Sequence, residues 1–222
     1  MEMGAGKQDI QNDVALIPGV SSSYSNGWRQ LWKHFLELFL IGIVSFIISI
    51  PAWIGDLDKD AAVTFLGLLG IAYGILVEGP KDYGVSFAYL KAARGEKLEI
   101  KNMFEGFQNY WNAVLASLLV SVIVVIGLIL LIVPGIIFGC KLAFTPYLVV
   151  DRKMAVIEAV KYSWHMTNGH AWKVFFILLL AIPIIIAGLI CFGVGVILSF
   201  MWISMAFASL YHAVSTEMGK PD

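Results

Sequence analysis

The stretch VPGIIFGCKLAFTPYLVVD, Val133 to Asp151, places a lysine near the middle of an apolar run of membrane length. A lysine at the centre of a membrane helix costs about 2.5–3.5 kcal/mol, so Lys141 needs either a purpose or an exit. Two routes are open. Pro134 lies seven residues earlier, roughly 10 Å of helix rise. Side chains lean toward the helix start, so the ammonium could snorkel to the outer headgroups. Alternatively, Lys141 faces the bundle interior beside Thr145, one turn on, and the pair would bind a small anion or a lipid phosphate.

Other reactive groups are sparse. Glu37 follows Lys33 by four residues, the spacing of a surface ion pair worth about 0.2–0.5 kcal/mol. Glu78 closes an apolar segment, an interfacial position. His34, His165, His170 and His212 fall on one side of the apolar segments, but no two have the i,i+4 spacing of a helical zinc pair. Neither Cys140 nor Cys191 joins them, and two cysteines make no disulfide framework. Asp151, Glu158 and Ser163 do not form a nucleophile–base set. No nucleophile-elbow, phosphate-loop or paired intramembrane carboxylate pattern occurs. The sequence therefore calls for no catalytic residue, no metal and no cofactor.

The elements that would position these residues follow from composition. Of 222 residues 59% are hydrophobic and only 14% charged, against roughly 25% charged in a soluble domain. Such a chain needs a bilayer as solvent. A net charge of -1 gives no reason to expect a nucleic-acid partner. Residues 1–26 read as a flexible polar tail without the apolar core of a signal peptide. Residues 27–215 form one transmembrane domain, and 216–222 a short C-terminal tail. Six apolar segments are predicted: Phe35–Ile54, Ala61–Val77, Ala113–Val133, Gly135–Val150, Val174–Cys191 and Val194–Tyr211. The fold class is thus an all-α membrane protein of six transmembrane helices. The links VPG and CFG are short enough to force antiparallel hairpins, three in all.

Sidedness is marked. Of the 15 Lys and Arg residues, all but Lys59 and Lys141 fall on one side of the predicted segments. Both termini are therefore expected in the cytoplasm. Each odd segment opens with a tryptophan and an upstream glycine: Gly27 and Trp32, Gly106 and Trp111, Gly169 and Trp172. Trp32, Trp111, Trp164 and Trp172 are expected interface anchors. The recurrence reads either as a threefold repeat or as what any interfacial helix start collects. Two cytoplasmic amphipathic elbows are predicted. One carries Ile157, Val160 and Trp164 opposite Glu158, Lys161 and His165, capped by Asp151 and ended by Gly169. The other carries Phe104, Phe107 and Trp111, broken at Gly95. Gly70 with Gly74, Gly135 with Gly139, and Ser117 with Ser121 have the small-xxx-small spacing of close helix packing.

The motifs EGPKDYGVSFAYLKAARGE, MFEGF, LLIVPGIIF, TPYLVVD, EAVKYSW and NGHAWKVF occur in that order. Over residues 27–215 the chain resembles the six-helix bacterial membrane family labelled domain-of-unknown-function 975. It is also similar to the membrane domain of glycerophosphodiester phosphodiesterases. The resemblance rests on Gly79, Pro80, Gly84, Arg94, Gly95, Phe104, Gly106 and Phe107. It continues through Pro134, Gly135, Pro146, Asp151, Glu158, Ala159, Ser163, Gly169 and Trp172. It implies a six-helix fold and a bacterial or archaeal plasma-membrane location. It implies no activity, since the phosphodiesterase relatives hydrolyse with a separate barrel for which this chain has no room. Two functions follow. The first is a non-catalytic membrane protein that organises or assists a membrane process, with lipids and another membrane protein as partners. The second is a transporter or channel for a small anion or lipid-like substrate.

Overall fold

Apolar side chains in near-continuous runs leave the backbone one way to satisfy its polar groups in lipid, the helix. In the computed structural model, which describes residues 17–54, 62–190 and 194–219, the chain is all-α and no strand occurs among those residues. Helix α1 spans Val20–Lys33 and α2 Phe35–Ile54. Helix α3 is Ala62–Tyr73 and α4 Gly79–Ala93, joined without a break by a π-helical turn at Gly74–Glu78. A 3-10 segment, Ile100–Phe107, leads to α5, Tyr110–Leu130. Then come α6 (Ile132–Leu142), α7 (Thr145–Asp151), α8 (Val156–Met166), α9 (Ala171–Ile190) and α10 (Val194–Met218).

Among the described residues, four helical stretches are long and apolar enough to cross a membrane: Tyr110–Leu130, Ile132–Asp151, Ala171–Ile190 and Gly195–Met218. A fifth arises if α1 and α2, which meet at 90°, are taken as one bent span. The expected segment Ala61–Val77, short for a span, extends into its C-terminal flank. It continues through the π-turn into α4, so that 62–93 is one helical run, roughly 48 Å long at 1.5 Å per residue.

Several local expectations shift. The expected tail is helical from Val20, because Tyr24, Asn26 and Leu31 find buried places along α10 and α4. The Tyr24 hydroxyl donates to Ile177 O at 2.9 Å, and the Asn26 amide donates to Ala93 O at 3.1 Å and Ser209 Oγ at 3.0 Å. Residues 1–16 lie outside the described residues, as does the CFG link. At the other end α10 carries on to Met218, into the expected tail. The reversal between α5 and α6 falls on the extended Leu131 rather than on Pro134. Pro134 sits in the first turn of α6, where its missing N–H costs nothing. Asp151 ends α7 instead of capping α8, whose N-cap is Ala155. Gly95 and Gly169 do terminate helices, with φ of 73° and 82°.

The buried core gathers α4, α7 and the C-terminal half of α10 around Tyr89, Phe144, Tyr147, Met205 and Tyr211. Two contacts bring the backbones together there. A side chain at Gly84 would meet Met103 O at 1.8 Å, and one at Gly106 would meet Pro80 O at 2.0 Å. The 3-10 segment therefore lies directly on α4. Above them Arg94 donates from both terminal nitrogens to the two Asp151 oxygens at 2.7 Å, and the Tyr211 hydroxyl donates to Asp151 at 3.2 Å. This ties the ends of α4, α7 and α10.

Candidate functional site

A π-turn carries one residue more than the α-helix around it and is found mostly as a single inserted turn. Here it delivers Glu78 to the junction with α4, where Lys81, Asp82 and Tyr83 follow within one turn. The Tyr73 hydroxyl, just before it, donates to Ile48 O of α2 at 2.6 Å. That contact fixes the two helices side by side and brings Ser49 to the same place. Lys81 is only 3% exposed. Its ammonium donates to Ser49 Oγ at 2.7 Å and Glu78 Oε2 at 2.5 Å, and lies 3.3 Å from Asp82 Oδ1. Two hydrogen bonds and a second carboxylate close by are what make the buried ammonium tolerable.

Beside this cluster lies a cavity of about 500 Å³ between the α3–α4 run, α5 and α6–α7. Glu78, Asp82, Tyr83, Ser117 and Ser121 line it together with apolar residues such as Ile75 and Leu118. Its size suits a small amphiphile. The Tyr83 hydroxyl, in a residue 5% exposed, has no partner, and neither has Glu78 Oε1. Ser117 spends its hydroxyl on Val114 O at 2.9 Å. Ser117 lies seven residues past Tyr110, roughly 10 Å along α5. Trp111, at that helix end, is 67% exposed. Two further grooves, lined by Trp28, Trp202, Ile184 and neighbours, hold no charged group.

The residues singled out from the sequence are distributed as follows. Lys141 is engaged by the elbow and the turn that follows it. Its ammonium donates to Asn168 Oδ1 and stands over the Trp164 ring at 5.4 Å. Its carbonyl accepts from Ser163 Oγ at 2.9 Å and Thr167 Oγ1 at 3.1 Å. Lys141 is in the last turn of α6, where a cation suits the helix dipole, and the elbow comes to meet it. Thr145 is fully buried with an unpartnered hydroxyl, and neither it nor Lys141 lines the cavity. Gly135 packs tightly against Leu128, and a side chain at Gly79 would meet Ser117 Oγ at 2.3 Å. Gly74 and Gly139 have nothing within 4 Å; they line the cavity with Ser117 and Ser121. Gly70 is only half-buried.

Trp32, Trp111, Trp164 and Trp172 are all exposed. The glycines of the three similar helix starts differ: Gly27 touches Met205 and Ala206, Gly106 lies on Pro80, and Gly169 is free of neighbours. Elbow α8 turns Ala159, Ser163 and Met166 inward, leaving Ile157 63% exposed. Its apolar stripe thus faces outward, as Phe104 and Trp111 do in the other elbow. His170 lies 3.4 Å from Glu217, and no group of three or more metal-ligating side chains occurs among the described residues.

The sequence puts Glu78 at the interface and Lys81 among the cations of the basic side. The available signal was the i,i+3 spacing of Glu78 and Lys81, together with Ser49 in an otherwise apolar run. No protein-family model, curated protein or solved structure matches the chain.

Proposed function

We propose that this protein is a multi-pass membrane protein that binds a lipid-like amphiphile in the cavity beside α4, without chemistry of its own. The observation that carries the reading is a cavity of about 500 Å³ whose lining joins charged and hydroxyl groups to apolar helix faces. A molecule with a polar head and an apolar chain complements both. The Ser117 hydroxyl is engaged by the backbone, which suits binding rather than nucleophilic attack.

Around this cavity the six apolar segments act as spans in three hairpins. Supporting that arrangement, α5 lies against α6 at Gly127 and Gly135, α9 against α10 at Gly188 and Ser199, and α2 against α3 at Tyr73. Basic residues on one side favour cytoplasmic termini in a bacterial or archaeal plasma membrane. Membership of the family labelled domain-of-unknown-function 975 is part of the same proposal. Its supporting residues Gly79, Pro80, Gly84, Gly106, Arg94 and Asp151 form the contacts that hold α4 in place. A role in assisting another membrane component would use the outward aromatic stripes of the elbows, whereas the anion path through Lys141 and Thr145 gains no support from their positions.

The test is thermal unfolding in a maltoside detergent with dodecanol, dodecylammonium and dodecyl phosphate added in turn. At least one should raise the midpoint saturably in the native protein and not in Ser121→Trp, which fills the cavity. No saturable shift with any of the three would end the reading.

A further inference from the structure

We infer that the cavity selects the primary ammonium head of an amphiphilic amine. The inference rests on the amphiphile reading above and adds the charge and donor character of the head group.

Two carboxylates, Glu78 and Asp82, line the cavity, whereas Lys81 does not. The lysine is turned to Ser49, Glu78 and Asp82, so its charge is already engaged. The three charged groups together leave one excess negative charge next to the cavity. Glu78 Oε2 takes the lysine, but Oε1 is buried without a partner. A carboxylate oxygen left bare among apolar residues favours a donor, and a charged donor most. The Tyr83 hydroxyl, also buried and unpartnered, can accept a second N–H.

Other head groups fit less well. A phosphate or carboxylate would meet the excess negative charge with no cation facing it across the cavity, because Lys141 is held by Asn168 and Trp164 elsewhere. A quaternary ammonium brings charge but no donor for Glu78 Oε1. A bare metal ion would leave the apolar part of the lining, Ile71, Ile75, Leu118 and Val120 among it, unused. A primary ammonium with an alkyl chain satisfies the carboxylate, the hydroxyl and the apolar wall together. Such a head occurs on free long-chain amines and on aminophospholipids.

The experiment compares saturation midpoints for dodecylammonium, dodecyltrimethylammonium, dodecanol and dodecyl phosphate in the purified full chain. Dodecylammonium should bind about tenfold or more tightly than the others, the ratio a charge-assisted hydrogen bond gives. Asp82→Asn keeps the Lys81–Glu78 pair and should lose most of that preference. The double variant Glu78→Gln, Lys81→Met removes the bare carboxylate oxygen but leaves the Asp82 charge on the cavity wall, so it should reduce the preference for the amine over the alcohol without abolishing it. A second arm, with mixed micelles containing an aminophospholipid or its N-trimethyl counterpart, assigns the source. Competition by the aminophospholipid alone points to a lipid head, and competition by neither points to a free amine. Equal binding of dodecanol and dodecylammonium would overturn the head-group inference while leaving the amphiphile reading standing. So would an unchanged preference in both variants. Absence of binding by every probe removes both.

Discussion

Gly84 and Gly106 occupy positions that no larger residue can share. Added side chains would meet backbone oxygens at 1.8 and 2.0 Å, and backbone does not swing aside as a flexible side chain does. Gly139 has no neighbour within 4 Å and only opens into the cavity. Gly84→Ala should therefore lower stability by about 3 kcal/mol or prevent folding, whereas Gly139→Ala should change it by less than about 0.5 kcal/mol. Thermal unfolding and detergent-extracted yield measure both. Gly and small-residue spacing alone would have ranked them the other way, since Gly139 belongs to a small-xxx-small pair and Gly84 does not pair with Gly106 in sequence. Lys141 gives a related lesson. Its charge was legible as a problem, but its partner Asn168 is 27 residues away, in the turn between α8 and α9.

Among the elements, the π-turn at Gly74–Glu78 governs the site. It sets the rotational phase between α3, which meets α2 through Tyr73 and Ile48, and α4, which carries Lys81 and Asp82. Deleting Leu76 would restore a continuous α-helix and turn the two halves about 100° relative to each other. The deletion variant should lose saturable amphiphile binding while its helical content by circular dichroism stays unchanged; full binding would mean that the phase of this helix does not matter. Nothing in the residues GILVE announces a π-turn, because the inserted residue is held by contacts on both sides of it. The elbows were more readable. Their amphipathic spacing is plain, yet the buried face proved to be Ala159, Ser163 and Met166 rather than the larger stripe. In water the larger apolar face would go inward; beside lipid it can stay outside.

At the scale of the whole molecule, the clearest consequence is sidedness. If basic residues mark the cytoplasm, then single cysteines placed at Gly95, Gly169 and Thr216 share one face of the membrane, and one at Leu131 lies on the other. Gly95 and Gly169 are helix ends and Leu131 is the reversal between α5 and α6. Labelling intact and opened cells with an impermeant maleimide should give Leu131 alone from outside. Labelling of Gly95 and Leu131 from the same side would defeat the topology. Arg94, Asp151 and Tyr211 join three helices on the expected cytoplasmic side, which holds the cavity walls together across hairpins.

Local chemistry alone settled that this chain is helical and apolar, and it raised the expectation that its basic residues are one-sided. Hydropathy, the need to close every backbone hydrogen bond in lipid, and charge asymmetry are all properties of consecutive residues. The expected first segment, Phe35–Ile54, even coincides with α2. The bound state of Lys81 and Lys141, the cavity, and the identity of the close-packed glycines came only from the assembled fold. Each depends on which helix faces face one another. In a chain whose helices are apolar nearly all round, periodicity carries almost no record of that choice.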